Sequence, residues 1–164
     1  RGPAKPALGE PNDPCELALR MLIARHFAMG RKAMGEKENC DLVERGFEAF
    51  NSGDMATLSG LIAEDASQHI PGKSQFAGDY KGRDAMLELY GKLAEATNGT
   101  FRAALQKTEA DGADTVIATY LGQGQREGKN LNTTNRLEFT IADGRYTKLV
   151  DNPDDLAGWD DFWG

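Results

Sequence analysis

Hydrophobic residues recur at helical spacing in the middle of the chain. Leu42, Phe47 and Phe50 fall on one side of a helix whose other side is charged, a pattern typical of a helix packed on a core. Gly53 suits the position just after a helix, and Asp54 suits the N-cap of the next one. The apolar residues of that second helix are Met55, Leu58, Leu61 and Ile62. The pattern therefore predicts two consecutive helices joined by a tight break.

The spacing of the apolar residues changes after position 65. Residues 66–70 alternate as in a strand and end at a Pro-Gly turn, and residues 72–82 are predicted to form a loop. A third helix with one apolar face is predicted over residues 83–96, and the pair Asn98-Gly99 ends it. The middle of the chain thus reads as helix, helix, strand, loop and helix.

The second half of the chain is dominated by alternation with a period of two. Four strands are predicted there, separated by turns that contain glycine, at residues 100–109, 115–125, 131–141 and 146–151. Helices followed by such an antiparallel meander indicate an α+β fold. Aromatic and aliphatic residues return to helical spacing in residues 153–163, which predicts a C-terminal helix that acts as a lid or a dimer edge.

The N-terminal part has a different composition. Residues 1–13 are rich in proline and glycine, which predicts a flexible arm. Residues 14–29 could form a helix that covers the sheet or the cavity mouth, mediates association, or belongs to an upstream extension. We therefore divide the chain into residues 1–38, an arm with an extra helix, and a domain at residues 39–164.

Four phrases of the sequence occur in an order that is characteristic of one superfamily. They are FNSGD at residues 50–54, LIAEDA at 61–66, GDYKGRDA at 78–85 and FTIADGR at 139–145. In this order the chain resembles the NTF2-like superfamily, and within it the SnoaL-like polyketide-cyclase and ketosteroid-isomerase-like families, over residues 40–163. The resemblance implies a cone in which a strongly bent antiparallel sheet wraps around a long helix. Three core helices, helical extensions at both termini and an apolar pocket at the open end complete the expected fold.

Composition and charge exclude several classes of function. The chain of 164 residues has a net charge of −7, which argues against a general nucleic-acid binder because such proteins need a basic face. No apolar run approaches the roughly 20 residues of a membrane-spanning helix, and arginines interrupt residues 17–29, which argues against a secretory signal. Cys15 and Cys40 have no metal-ligand spacing and form no disulfide framework, as in a cytoplasmic protein with reduced thiols.

The sequence contains no motif for a metal, a phosphate group or an activated nucleophile, so acid–base chemistry in a shielded pocket is the remaining option. Asp151 is the first candidate because it ends the last predicted strand, after Leu149 and Val150. The resemblance implies that Asp151 is the acid or base, because SnoaL-like cyclases have an aspartate with this role at the matching position after the Asp-Gly turn. The alternative is that Asp151 only opens a turn before Pro153.

His69 is the second catalytic candidate, since histidine has an unperturbed pKa near neutrality and this one lies on the first predicted strand. Ketosteroid isomerases place their aspartate base one position later, where this chain has Ile70, and neighbouring strand residues face opposite sides. A structural or surface histidine is therefore the alternative. SnoaL-like cyclases often also carry a histidine at the position of Leu137, so a transferred His–Asp pair is incomplete here.

Six further residues are predicted to bind a substrate. Those on strands could hold a substrate oxygen, the others could line or rim the pocket, and the set is Tyr120, Asn135, Tyr146, Arg136, Phe76 and Trp159. The alternative for the tyrosines is a place in the core, and for the tryptophan a place in the core or at a dimer interface; such residues more often have these roles.

Three functions are compatible with these features. The favoured one is an enzyme that performs cofactor-free acid–base chemistry, such as aldol-type cyclisation, isomerisation or dehydration, on a hydrophobic, polyketide-like substrate with a carbonyl group. The alternatives are a non-catalytic binding protein for a hydrophobic small molecule and an NTF2-like interaction module. By analogy with the superfamily we expect a homodimer. The charge, the cysteines and the motif search described above predict a cytoplasmic protein without a metal, a nucleic-acid partner or a membrane partner, and proton transfer in a shielded pocket needs no cofactor.

Overall fold

Four helices and six strands make up most of residues 34–164, the part of the chain that the computed structural model describes. The helices are α1 (Glu36–Ser52), α2 (Met55–Leu61), α3 (Arg83–Ala96) and α4 (Leu156–Trp163). The strands are β1 (Ile62–Ile70), β2 (Gly78–Lys81), β3 (Arg102–Ala110), β4 (Thr115–Arg126), β5 (Lys129–Ala142) and β6 (Arg145–Pro153). The predicted arm and the predicted helix at residues 14–29 lie outside the described residues.

The strands form one sheet in the order β2-β1-β6-β5-β4-β3. All neighbouring pairs are antiparallel except β1 and β6, which run parallel. The prediction of an α+β fold is confirmed, but the prediction of a wholly antiparallel sheet is wrong at this one pair. The parallel pairing is available because a long crossover, which includes α3, separates β1 from β6 in the chain. Helix α1 lies against β3 and β4, on the concave face of the curled sheet.

The break between α1 and α2 has the predicted chemistry. Gly53 adopts a left-handed conformation with a φ of 72°, and its N–H reaches the carbonyl oxygens of Ala49 and Phe50. Asp54 is the N-cap of α2, where its carboxylate accepts a hydrogen bond of 3.0 Å from the backbone N–H of Thr57. These contacts turn the chain so that α2 leads directly into β1.

Two strand boundaries differ from the sequence-based expectation. Strand β1 begins at Ile62, whereas the sequence pattern placed Ile62 at the end of the second helix. The prediction was wrong because Glu64 and Asp65 are both exposed and interrupt the alternation of the strand. A register shift in the pairing with β6 over the same residues also disturbs the pattern. Strand β2 lies within the predicted loop and pairs only with β1 at the edge of the sheet, so its half-exposed side chains show no hydrophobic pattern.

The C-terminal helix is part of the core. Trp159, Phe162 and Trp163 are buried, and the ring of Trp163 contacts Phe76, Phe101 and Phe162 at edge-to-face angles. Side chains from the sheet hold the end of this helix, since Arg126 donates to the carbonyl oxygen of Phe162 over 3.0 Å. The helix therefore closes one end of the cone rather than lying over it.

One tight contact leads to a stability prediction. Gly46 on α1 faces Tyr146 on β6, whose hydroxyl donates to the carbonyl oxygen of Leu42. A Cβ atom at position 46 would overlap with the Tyr146 hydroxyl and force the ring away from this partner. We expect Gly46→Ala to lower the free energy of unfolding by about 1–3 kcal/mol, measured by urea denaturation.

Gly91 provides the matched control for this prediction. It lies on the exposed side of α3, and no described atom comes within 4 Å of an added Cβ. Gly91→Ala should therefore raise the free energy of unfolding by about 0.5–1 kcal/mol, because alanine loses less backbone entropy in a helix than glycine does. If both substitutions had the same sign, the contact between Gly46 and Tyr146 would not have the effect described here.

Candidate active site

A cavity lies between the helices and the concave face of the sheet. Its empty space, counted with the open solvent at its mouth, is about 660 Å³. Its walls are mainly aromatic and aliphatic. The polar side chains among the described residues that line it are Gln68, Tyr90, Tyr120, Tyr146 and Asp151. An apolar cavity with a few convergent polar groups is the usual form of a small-molecule site.

Asp151 is the single carboxylic acid among the described residues that line the cavity, and its side chain is 5% exposed. The Nε2 atom of Gln68 donates to Oδ2 of Asp151 over 2.8 Å. The hydroxyl of Tyr120 lies 3.5 Å from Oδ1, a long and weak contact. Burial raises the pKa of Asp151 to about 6, although the hydrogen bonds from Gln68 and Tyr120 oppose this rise.

The alternation of β6 puts Asp151 in the cavity. Leu149 and Asp151, two positions apart, are buried and line the cavity, whereas Lys148 on the other face is exposed. Strand β6 continues through Pro153, so Asp151 lies within the strand and does not merely open a turn. Its register partner on β5 is Leu137, which lines the same cavity. Asp151 is thus an acid held between apolar neighbours on a rigid sheet.

His69 lies on the other side of the sheet, and the expectation that it lies beside the cavity is wrong. Gln68 and Ile70 are its neighbours in β1, and both line the cavity, so the alternation of the strand turns His69 outward. The side chain of His69 is 48% exposed, and its Nδ1 is 2.7 Å from Oδ1 of Asp79 on β2. His69 is therefore a surface histidine, which was the alternative to a catalytic role.

The six predicted substrate-binding residues divide into two groups. Tyr120, Tyr146 and Trp159 line the cavity. Asn135 does not line it: this residue is the register partner of Tyr120, is 1% exposed, and donates to the carbonyl oxygen of Thr133 over 3.1 Å.

Arg136 and Phe76 also lie away from the cavity lining, contrary to the prediction. Arg136 follows Asn135 in β5 and therefore faces outward, where it forms an ion pair of 3.2 Å with Asp154. Phe76 is buried under α4, with its ring centroid 5.3 Å from that of Trp163. It supports the closed end of the cone and does not rim the pocket.

Sequence reasoning missed Gln68 and Tyr90. Gln68 lies two positions from Ala66 and from Ile70 and shares their buried face of β1, so its inward direction could be predicted from the strand pattern. Tyr90 lies on the apolar face of the helix predicted at residues 83–96, and nothing in its local sequence shows that its hydroxyl donates to Gln68 over 2.6 Å. That contact depends on how α3 packs over β1.

Residues 34–164 contain neither a metal-ligand cluster nor a membrane-spanning helix. No group of three or more His, Cys, Asp or Glu side chains in this range is arranged to hold a metal ion. None of the helices in the described part of the chain has the length and apolar character needed to cross a membrane.

The family model of the SnoaL-like domain matches residues 43–149, which include Gln68, Tyr90 and Tyr120 and end two residues before Asp151. The chain belongs to the SnoaL-like domain family. The predicted NTF2-like fold, a curled sheet that does not close, is likewise confirmed.

Individual relatives of this SnoaL-like protein share most of their length with it. The uncharacterized protein Rv0034 of Mycobacterium tuberculosis is 35% identical over 130 residues, which are 79% of this chain and 99% of the relative. The structure of Bal32a, from a soil-derived mobile gene cassette, is 40% identical with a TM-score of 0.76, over 78% of this chain and 98% of that one. A candidate polyketide cyclase from Sinorhizobium meliloti is 26% identical with a TM-score of 0.57, over 68% of this chain and 94% of that one.

Proposed function

We propose that this SnoaL-like protein is an enzyme in which Asp151 moves a proton at the carbon next to a carbonyl group of a neutral, hydrophobic substrate. The observation that carries the proposal is a single buried carboxyl in an apolar cavity, with its pKa raised to about 6. A base poised near neutrality can both take a proton and return it at physiological pH. The structural similarity to a candidate polyketide cyclase supports the same class of chemistry.

The two oxygens of Asp151 are not equivalent. Oδ2 is occupied by the hydrogen bond from Gln68 at 2.8 Å, whereas Oδ1 has only the long contact of 3.5 Å with the Tyr120 hydroxyl. We therefore assign the proton transfer to Oδ1. Burial raises the pKa of Tyr120 well above its ordinary value, so this hydroxyl stays protonated and can donate to a substrate oxygen.

The proposed reaction needs only these two groups. Oδ1 of Asp151 takes a proton from the carbon next to the carbonyl, the C–H electron pair moves toward the carbonyl oxygen, and the hydroxyl of Tyr120 stabilises the resulting enolate. In an isomerisation, Asp151 returns the proton to another carbon. In an aldol-type cyclisation, the enolate carbon attacks a second carbonyl of the same molecule and the new alkoxide takes the proton from Asp151. Such proton transfers require no cofactor.

The substrate should be uncharged and apolar. Aromatic and aliphatic side chains form most of the cavity wall, and none of the described lining residues is a lysine, arginine or histidine that could pair with an anion. An anionic substrate would also lie close to the carboxylate of Asp151, which is unfavourable in an apolar environment. A neutral ketone, ester or polyketide-like ring system fits these conditions.

The proposal is tested by hydrogen–deuterium exchange at the carbon next to the carbonyl. A panel of neutral aromatic ketones and 1,3-dicarbonyl compounds is incubated in D2O and followed by NMR, so the natural substrate need not be known. We expect catalysed exchange whose rate rises with pH through about 6, because the base must be ionised. His69→Gln should retain the exchange at pH 8, and Tyr120→Phe should slow it by about 10²-fold or more.

Two outcomes would contradict the enzyme proposal. Exchange that persists in Asp151→Asn would assign the base to another group. Tight binding of panel compounds without exchange by the wild-type protein would instead support the binding-protein alternative.

A further inference from the structure

A buried chain of hydrogen bonds leads from α3 to the carboxyl of Asp151. The hydroxyl of Tyr90 donates to Oε1 of Gln68 over 2.6 Å, and Nε2 of Gln68 donates to Oδ2 of Asp151 over 2.8 Å. The exposed fractions of Tyr90, Gln68 and Asp151 are 8%, 5% and 5%. Three different elements, α3, β1 and β6, therefore meet in one polar contact within an apolar environment.

The direction of the Gln68 amide matters for the state of Asp151. An amide has one donating and one accepting end, whereas an ionised carboxylate only accepts. With its NH₂ group toward Asp151, Gln68 stabilises the charged carboxylate. Rotated by half a turn, it would present Oε1, which stabilises only the protonated acid.

We propose that Tyr90 is a positioning residue whose hydroxyl fixes the Gln68 amide with its NH₂ group facing Asp151. The catalytic consequence rests on the role proposed above for Asp151, whereas the orientation itself does not. In the rotated arrangement the Tyr90 hydroxyl would lose Oε1, which accepts the one hydrogen bond that this hydroxyl makes among residues 34–164. A buried donor without a partner is unfavourable, so the hydroxyl holds the amide in one direction.

Packing holds the ring of Tyr90 in place. Its centroid is 5.5 Å from that of Phe50 on α1, at an interplanar angle of 88°. The hydroxyl is thus presented to Gln68 by a ring fixed between two helices. A side chain held in this way can impose a direction on a flexible amide.

Other titratable groups also act on Asp151 and have to be separated from Tyr90. Tyr120 on β4 donates to the carboxyl, and His69 on β1, paired with Asp79 on β2, lowers the pKa of Asp151 through its charge. Leu137, the register partner of Asp151 on β5, has no titratable group. A test must therefore show that an effect of Tyr90 passes through Gln68.

The test is a direct titration of Asp151 by carbon NMR on protein labelled at the aspartate carboxyl carbon. The signal is assigned by its loss in Asp151→Asn. We expect Tyr90→Phe to raise the pKa of Asp151 by about 1, a tenfold weaker acid, because the amide can then rotate. Tyr146→Phe removes the hydroxyl of another cavity-lining tyrosine, which is bonded to Leu42, and should leave the titration unchanged.

A double-mutant cycle decides whether the effect passes through Gln68. Gln68→Met removes the amide at similar size and should raise the pKa of Asp151, after which Tyr90→Phe should have no further effect. The proposal is overturned if Tyr90→Phe leaves the pKa unchanged, or if its effect persists in the Gln68→Met background. No substrate is involved, so a failure here is distinct from a failure of the proposed activity.

A second substitution keeps the inference testable if Tyr90→Phe does not fold. Incorporation of 3-fluorotyrosine at position 90 preserves the ring and its hydroxyl but makes that hydroxyl a stronger donor. Polarisation of the Gln68 amide should then lower the pKa of Asp151, the opposite sign to Tyr90→Phe. An unchanged or raised pKa would count against the orientation role.

Discussion

Asp151→Asn is expected to make the protein more stable at pH 8 while it removes proton transfer. Burial raises the pKa of Asp151 from 3.8 to about 6, so the folded state holds its proton more tightly than the unfolded state does. The contribution of this group to stability is therefore fully present below about pH 4 and is lost as the pH rises through about 6. The loss amounts to about 3 kcal/mol. Asparagine carries no charge, so the variant does not lose this stability as the pH rises.

The size of the effect allows a clear measurement. Urea unfolding at pH 4 should give similar free energies for the wild type and Asp151→Asn, and at pH 8 the variant should be more stable by up to about 3 kcal/mol. Proton exchange at the substrate carbon should fall by about 10²–10⁴-fold in the same variant, as expected for loss of a general base. Stability given up for a functional group is common at active sites.

Asp65→Asn is the matched control. Asp65 lies on β1 and is exposed, so the same chemical change should alter stability by no more than about 0.5 kcal/mol at either pH. Equal stabilities of the wild type and Asp151→Asn at pH 8 would show that the carboxyl does not pay a desolvation cost in the folded state. The electrostatic basis of the proposed function would then be lost.

The parts of the fold that were predictable are those with regular local patterns. The last four strands show a clean alternation, and glycine-containing turns separate them, as at Gly144 with its φ of 74°. The first half of β1 was not predictable because Glu64 and Asp65 interrupt the alternation. Its parallel pairing with β6 was also hidden, since only the packing of distant segments decides which strands become neighbours.

The site was predictable to a smaller extent for the same reason. Asp151 could be singled out because it ends the last predicted strand, at the position where the resemblance to SnoaL-like cyclases implies an acid or base. His69 and Arg136 were chosen for their chemistry, and strand alternation turns both of them outward. The partners of Asp151 depend on contacts between positions far apart in the chain, 83 residues for Gln68, and no local pattern reports such contacts.

Among the substitutions proposed for stability measurements, Trp163→Ala is expected to lower the free energy of unfolding the most. The side chain of Trp163 is 0% exposed, and its ring lies 5.3 Å from Phe76 and from Phe101, and 4.8 Å from Phe162, between ring centroids. Removal of a buried tryptophan typically lowers the free energy of unfolding by about 3–5 kcal/mol, because the surrounding side chains fill the space only in part. Thermal and urea unfolding would both report this loss.

The same substitution tests whether α4 belongs to the cavity. Trp159, on the same helix, lines the cavity and packs on Trp163 with ring centroids 5.7 Å apart, so a loosened helix should also weaken the binding of neutral aromatic compounds. Leu156→Ala is the control, since Leu156 begins the helix and is 41% exposed; it should change stability by no more than about 0.5 kcal/mol. A loss below about 1 kcal/mol for Trp163→Ala would mean that the helix is a detachable lid, as one of the sequence-based interpretations held, and not a wall of the core.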